Sequence, residues 1–163
     1  MPFPSIPMNP SWLEPASKFV DSQFPAAIGT LGKLVKIPGI AWPSFDPENL
    51  ERSASAVAEE FRKLDFFDFV DIRRSLKPSG EKGSPAVLAR RAGSDGAPHV
   101  LLYAHHDVQP PGENGLWNTE PFEATLVGER LYGRGASDDK AGIITHLQSI
   151  KTLIELAETV NLG

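Results

Sequence analysis

The sequence predicts an α/β fold, with helices towards both ends of the chain and short strands between them. Apolar residues recur at helical spacing over residues 16–36, 46–64 and 139–158. Between these segments the apolar residues recur at a shorter spacing, and glycine-centred turns separate short runs of apolar residues. Residues 100–104 are apolar without alternation, which is typical of a strand covered on both faces at the centre of an α/β sheet. The 163 residues suit one domain, spanning 1–163.

The first two helices differ in how clearly their ends are marked. Residues 1–14 are rich in proline and predict an irregular lead-in. Pro25 interrupts the helical period of residues 16–36, so we expect either a kinked helix or two short ones. The second helix begins clearly, because Asp46 can cap it, Pro47 suits its first position and Glu48 favours the positive end of its dipole. It should end near Leu64, with Leu50, Ala54, Val57, Phe61 and Leu64 facing the core.

A shorter spacing of apolar residues predicts the strands, and a return to helical spacing predicts the last helix. Residues 67–73 alternate loosely, residues 86–89 form a short apolar run, and residues 94–96 indicate a turn. A second turn at Gly128 predicts a hairpin within residues 122–131. The last helix should run from Asp139 to about Glu158 along an apolar stripe: Ile143, Ile144, Leu147, Ile150, Ile154 and Leu156.

Composition narrows the class of protein. The formal net charge is −5, which argues against a nucleic-acid or anionic-membrane partner because both attract basic patches. Cysteine is absent, so disulfides, thiol catalysis and cysteine zinc sites are excluded. No segment combines a basic start with an apolar stretch as a secretory signal does, and no run is long enough for a membrane helix. We therefore expect a cytoplasmic protein.

The first candidate site lies at the end of the predicted buried strand. Open α/β sheets bind their ligands at such strand ends. Alternate strand residues point the same way, so His105 and Asp107 should share a face while His106 faces the other side. Imidazole is a good zinc ligand, and a neighbouring carboxylate can fix its orientation. The alternative is a polar strand end with solvent-exposed histidines.

The second candidate is a glycine-rich turn that leads into the last helix, over residues 131–142. It lacks the lysine and hydroxyl ending of a P-loop and the spacing of a dinucleotide fingerprint. Asp138 and Asp139 stand at the helix start, where two carboxylates would repel a phosphate and attract a cation. The alternative is simple helix capping by Asp138.

Three further residues have ordinary explanations. Trp117, on a loop rich in glycine and proline, could line a substrate pocket, but covering the edge of the hairpin is the interpretation we favour. His99 begins a strand after Pro98 and should lie on the surface. His146 is expected to be a half-buried, hydrogen-bonded residue of the last helix rather than a ligand.

Taken in order, these segments resemble a known family. Tyr-Ala-His-His-Asp-Val-Gln-Pro at 103–110, Trp117, Pro121-Phe122 and Leu-Tyr-Gly-Arg-Gly-Ala-Ser-Asp-Asp-Lys at 131–140 are similar to the zinc exopeptidase superfamily of aminoacylases, glutamate carboxypeptidases and carnosinase-like dipeptidases. The Val-Gln-Pro ending and the Trp117 spacing resemble the dipeptidase branch most. The resemblance covers most of the chain and implies the N-terminal part of an α/β/α catalytic domain with a mixed, largely buried sheet.

The resemblance also implies roles for particular residues. His105 matches the histidine ligand of the first metal, and Asp107 matches the catalytic carboxylate that supports it. Asp138 matches the carboxylate that bridges two zinc ions, and a cis peptide bond should join it to Asp139. The implied reaction is two-metal hydrolysis of a dipeptide or an N-acyl amino acid, with zinc, or with manganese or cobalt in its place.

Other parts of the family's site have no match in this chain. The family's next strand ends in glutamates that supply the general base and a further ligand, and a second histidine and a lid domain follow. Glu155 and Glu158 fall on the predicted last helix and do not match these glutamates. We therefore expect the isolated chain to be inactive. The alternatives are a non-catalytic remnant or binding module with half of the metal site, and complementation by a separate C-terminal chain.

Overall fold

Three α-helices, four short strands and one 3-10 helix (Asn114–Leu116) are the regular elements of the described part of the chain. The structure, a computed structural model, describes residues 10–157 and 160–163. No helix in these two ranges is long and apolar enough to cross a membrane. The α/β class is confirmed, and the elements in chain order are α1 (Pro10–Val35), α2 (Pro47–Arg62), β1 (Phe69–Arg73), β2 (Ala86–Arg90), β3 (Thr125–Val127), β4 (Arg130–Tyr132) and α3 (Lys140–Leu156).

Helix α1 begins earlier than the sequence predicts and is one helix rather than two short ones. It begins at Pro10, so residues 10–14 are helical and the prediction of an irregular lead-in is wrong there; residues 1–9 lie outside the described residues. Proline suits a helix start, which explains Pro10. Pro15 and Pro25 lie inside a single helix. Packing against α3 supports α1 beyond Pro25, because tertiary contacts supply most of a helix's stability.

Helix α2 begins as the sequence predicts. The Asp46 carboxylate accepts a hydrogen bond of 2.9 Å from the Glu48 backbone N–H, and Pro47 occupies the first turn. The helix ends at Arg62, two residues before the predicted end. Of the predicted core residues, Leu50, Ala54 and Val57 are buried, while Phe61 and Leu64 are partly buried against the core.

The main core lies among the three helices. Helix α3 ends at Leu156, and the predicted end at Glu158 lies outside the described residues. Ile154, predicted to belong to the buried stripe of α3, is 42% exposed. Burying such a cluster of aliphatic side chains contributes roughly 25 cal/mol per Å² of apolar surface removed from water. The buried cluster consists of Ala27, Leu31, Leu34, Val35, Val57, Ile143, Ile144 and Leu147.

The strands form two separate antiparallel pairs. β1 pairs with β2 in the register Phe69↔Arg90, and β3 pairs with β4 around Gly128, whose φ of 61° suits the turn. The hairpin prediction is therefore confirmed. These pairs do not join into one mixed, largely buried sheet within the described residues.

The predicted buried strand at residues 100–104 is not formed. This segment has no strand assignment, Leu101 is 93% exposed and Tyr103 is 77% exposed. The physical reason is that a strand is defined and covered by its neighbours, and no other described strand pairs with this segment. An apolar run predicts burial only if the covering elements are also present.

Candidate metal centre

Residues 105–108 are held in place by contacts on the side away from the solvent. The Val108 N–H donates to the Gly39 carbonyl at 3.0 Å, and the Ser53 hydroxyl donates to the His106 carbonyl at 3.0 Å. The His106 ring faces inwards, with Nε2 3.0 Å from the Pro85 carbonyl oxygen. The prediction that His106 faces away from His105 and Asp107 is consistent with these contacts.

The structure brings His105, Asp107 and Asp138 together. His105 Nε2 lies 3.0 Å from Asp138 Oδ1. On the other side of the ring, Nδ1 lies 3.0 Å from the Asp107 carbonyl oxygen and 3.2 Å from Asp107 Oδ1. Both ring nitrogens therefore face oxygen acceptors, which fixes the orientation of the imidazole.

The start of α3 positions Asp138 beside His105. The peptide bond between Asp138 and Asp139 is cis, as the resemblance implies. The Asp139 carboxylate does not cap the helix but accepts a hydrogen bond of 3.1 Å from the His105 backbone N–H. The alternative of capping by Asp138 is also not what the structure shows, because its carboxylate faces the His105 ring. Both carboxylates are directed at His105 instead of at the helix.

Lys140 is a buried charge that sequence reasoning missed. Its side chain is fully buried, and Nζ donates to the carbonyls of Leu34 at 2.6 Å and Ile37 at 2.8 Å. These contacts join the start of α3 to the end of α1. A signal was present in the sequence, because a lysine in the first turn of a helix opposes the helix dipole and needs another reason to be there.

The two adjacent histidines have pKa values shifted in opposite directions. Partial burial acts to lower the pKa of His105, but hydrogen bonds to Asp107 and Asp138 and their negative charges outweigh it, so the pKa is raised. Burial lowers the pKa of His106. A cationic His105 can donate from both nitrogens to its acceptors, whereas His106 is held as a neutral ring.

Titration of the histidine rings should separate these two environments. We expect His105 to titrate above the ordinary value of 6.5 and His106 below it, as measured by NMR. His105 therefore contributes stability at low pH that is lost as pH rises through its folded pKa. His106 contributes stability that is lost as pH falls below its unfolded pKa. Asp138→Asn should lower the pKa of His105 and leave the pKa of His106 unchanged. Equal pKa values for the two rings would contradict the contacts of His105 with Asp107 and Asp138.

His105 and Asp138 fit one edge of a metal coordination shell. Zinc binds imidazole nitrogen and carboxylate oxygen at about 2.0–2.2 Å, so a nitrogen and an oxygen 3.0 Å apart can contact one ion. The supporting contact of Asp107 with the other nitrogen is the usual arrangement for a ligating histidine. Within the described residues, no group of three or more histidine, cysteine or acidic side chains forms a fuller shell. The donor set is thus partial.

Gly142 allows the Asp139 carboxylate to reach His105. A Cβ added at Gly142 would lie 2.5 Å from Asp139 Oδ1, so Gly142→Ala should displace that carboxylate and weaken its bond to the His105 N–H. We expect destabilisation of about 1–2 kcal/mol in urea unfolding, despite the better helix propensity of alanine. The control is Gly29→Ala in α1, where nothing lies within 4 Å and stabilisation of about 0.5–1 kcal/mol is expected. Stabilisation by both variants would contradict this role.

The remaining candidates lie outside this cluster. His99 is exposed, as predicted. His146 is half-buried with Nε2 2.8 Å from the Tyr103 carbonyl oxygen, which agrees with the prediction of a hydrogen-bonded helix residue. Trp117 Nε1 donates to the Pro111 carbonyl at 2.8 Å, and the Arg134 guanidinium lies 5.3 Å from its ring centroid. These contacts tie the Trp117 loop to the turn that follows β4.

The fold and this cluster define the class of protein. Residues 101–162, which include all the residues of the cluster, match the sequence profile of Peptidase family M20/M25/M40. This match confirms the resemblance to the family, and the resemblance to its dipeptidase branch is confirmed by the relatives of the chain.

Particular relatives support this resemblance. The chain is 29% identical over 160 residues to Beta-Ala-His dipeptidase of Rattus norvegicus, covering 93% of this chain and 32% of the relative. It is 34% identical over 128 residues to succinyl-diaminopimelate desuccinylase of Erythrobacter litoralis, covering 75% of this chain and 32% of the relative. Human carnosine dipeptidase 1 has a similar fold, with a TM-score of 0.75 at 24% identity over 91% of this chain and 33% of that one. The chain spans about a third of the length of these relatives.

Proposed function

We propose that this chain is part of the catalytic domain of a metallo-hydrolase that cleaves the amide bond of a dipeptide or an N-acyl amino acid. The observation that carries the proposal is the 3.0 Å approach of His105 Nε2 to Asp138 Oδ1, with Asp107 on the opposite ring nitrogen. The names of the relatives support both substrate types, since one is a dipeptidase and another removes a succinyl group.

In this proposal His105 and Asp138 hold metal, two zinc ions in the complete site, and Asp107 supports His105. The chemistry supplied by bound zinc is polarisation of the amide carbonyl and activation of water. To act as a ligand through Nε2, which lies 3.0 Å from Asp138 Oδ1, His105 must carry no proton on that nitrogen. Asp107 remains as the acceptor at Nδ1, so the ring keeps its orientation when Nε2 carries no proton. The same oxygen and nitrogen ligands can also bind manganese or cobalt.

A second candidate is a non-catalytic binding module that retains half of the metal site. The observation that favours it is the absence, within residues 10–157 and 160–163, of a cluster of three or more metal-binding side chains. A catalytic zinc usually has about three protein ligands. The two candidates therefore differ in whether further ligands come from other polypeptide segments.

The experiment that separates them uses the native protein and the 163-residue chain side by side. The native protein is purified, its intact mass is measured, and both samples are assayed with zinc or manganese on a dipeptide and on an N-acyl amino acid. We expect metal-dependent hydrolysis by a native protein of larger mass or of two chains, and no measurable hydrolysis by the 163-residue chain. Turnover by a chain confirmed at 163 residues would contradict the incomplete site, and an inactive native protein would favour the binding module.

A further inference from the structure

The first turn of α3 carries a buried cation at a position where the helix dipole disfavours one. Lys140 is fully buried, and its Nζ donates to the carbonyls of Leu34 and Ile37 at 2.6 and 2.8 Å. Removing an ammonium group from water is costly even when hydrogen bonds replace its hydration, and an apolar side chain of the same length would fill the space without that cost. The lysine at this position therefore needs an explanation beyond packing.

The carbonyls that Lys140 binds belong to the C-terminal end of α1. Helix α1 ends at Val35, and the carbonyls of a last helical turn lack partners within the helix and carry a partial negative charge. An ammonium group placed there binds these carbonyls and offsets their charge. Because Lys140 lies two residues after Asp138, this contact joins the end of α1 to the segment that carries the Asp138 carboxylate.

The same end of α1 also holds the segment that carries His105. The Ile37 carbonyl accepts a hydrogen bond of 2.8 Å from the Gly39 N–H as well as the one from Lys140. The Gly39 carbonyl in turn accepts from the Val108 N–H at 3.0 Å. Val108 is buried and lies three residues after His105. The short stretch of chain after α1 is therefore bonded to both sides of the candidate metal centre.

The two sides also touch directly at Gly135. Its φ of 84° suits glycine, and a Cβ there would lie 2.7 Å from Val108 Cγ1 and 3.3 Å from Lys140 Cδ. The Gly135 carbonyl accepts a hydrogen bond of 3.1 Å from the Lys140 N–H. The turn before Asp138, the stem of the lysine and Val108 are therefore packed together without room for a methyl group.

We propose that Lys140 is a positioning residue for the candidate metal centre. By binding the end of α1, it fixes the start of α3 relative to residues 105–108 and so sets the 3.0 Å separation of His105 Nε2 from Asp138 Oδ1. The two side chains lie on opposite sides of this hydrogen-bonded connection, and one ion can contact both only while the connection holds. The inference rests on the proposed function, because it concerns the two side chains that hold metal there.

Lys140→Met tests the geometry without metal, because methionine keeps most of the volume but donates no hydrogen bond. In crystal structures of the metal-free native protein and this variant, the separation of His105 Nε2 from Asp138 Oδ1 should increase from 3.0 Å to more than about 3.5 Å. The His105 N–H, which donates to Asp139, should exchange about tenfold faster relative to Leu147 in the core. An unchanged separation, or an unchanged ratio of exchange rates, would overturn the proposal.

Metal titration separates positioning from two other roles of the lysine. Mn²⁺ alone is titrated into the metal-free native protein and into Lys140→Met, with Ile150→Val and Ile150→Ala in the same helix as destabilised controls. A merely structural lysine predicts the affinity of the controls. An electrostatic role predicts tighter binding by Lys140→Met, because the ammonium group and the metal ion have like charge. Positioning predicts binding about tenfold weaker than in the controls, and either of the other two results would overturn it.

Gly39→Ala tests the same connection with Lys140 in place. A Cβ at Gly39 would lie 2.8 Å from Ser53 Cβ, so this variant should displace the Gly39 carbonyl from Val108 and weaken Mn²⁺ binding. The matched control is Gly29→Ala, where nothing lies within 4 Å and the affinity should not change. Equal affinities of the two alanine variants would overturn the proposal, even where Lys140→Met does not fold.

Failure of the proposed function gives a different result from failure of the positioning role. If Asp138→Asn leaves Mn²⁺ binding by the native protein unchanged, the metal is not held there, and both the proposed function and this inference are overturned. If Asp138→Asn weakens binding but Lys140→Met binds Mn²⁺ as tightly as its controls, only the positioning role is overturned.

Discussion

Lys140→Ala is expected to destabilise the fold by about 3–5 kcal/mol, the largest effect of any single substitution we expect. The side chain is fully buried, and its ammonium donates to the carbonyls of Leu34 and Ile37 at the end of α1. Alanine leaves a cavity and removes both donors. Urea unfolding measures the loss, and Lys36→Ala at an exposed position nearby should change stability by less than about 0.5 kcal/mol.

Lys140→Met separates packing from hydrogen bonding. Methionine keeps most of the volume, so we expect a smaller loss of about 1–3 kcal/mol from the unpaired carbonyls. Burial lowers the pKa of Lys140 from 10.5 to about 8. Between these pH values the unfolded chain binds the proton more tightly, so the stability of the native chain should rise with pH there. The Met variant should lack this rise. Equal stabilities of the Lys140→Ala and Lys36→Ala variants would show that the buried lysine does not join the two helices.

Under the proposed function, Asp107→Asn is expected to lower the metal affinity of the native protein about 10–100-fold, because Asp107 in that proposal supports the histidine rather than serving as a ligand. Asp107 Oδ1 lies 3.2 Å from His105 Nδ1, and an amide cannot supply the same negative charge. Titration of metal into the metal-free native protein, followed by activity on the proposed substrates, measures this change. His105→Ala should lower the metal affinity more than Asp107→Asn does, since it removes a proposed ligand. Asp95→Asn, in an exposed turn, should leave the metal affinity unchanged. The reverse order of the first two would contradict these roles.

Local signals in the sequence predicted local structure well. Asp46 and Pro47 predicted the start of α2, and Gly128 predicted the β3–β4 hairpin, because capping and turn formation depend on residues close in sequence. Pro25 left a kinked helix and two short helices as alternatives, and the structure has one helix. Its effect on a helix is local, but α1 is also supported by packing on α3, which spacing alone does not reveal.

The geometry of the candidate site depends on contacts between residues that lie far apart in the sequence. Strand alternation predicted that His105 and Asp107 share a face, but nothing in the spacing brings Asp138, 33 residues away, to His105. That pairing was predicted only through resemblance to a family. The exposure of Leu101 and the burial of Lys140 were missed for the same reason. Each depends on which elements lie beside the residue, and the residue's own hydropathy predicts the opposite.

Paramagnetic broadening by Mn²⁺ in the 163-residue chain tests most directly the proposal that His105 and Asp138 hold a metal ion. Broadening depends on distance, so it detects an ion held by only two ligands. We expect the His105 ring signals to broaden at lower Mn²⁺ than those of His99 and His146, and Asp138→Asn to remove this difference. Equal broadening of His99 and His105, or unchanged broadening in Asp138→Asn, would contradict this proposal.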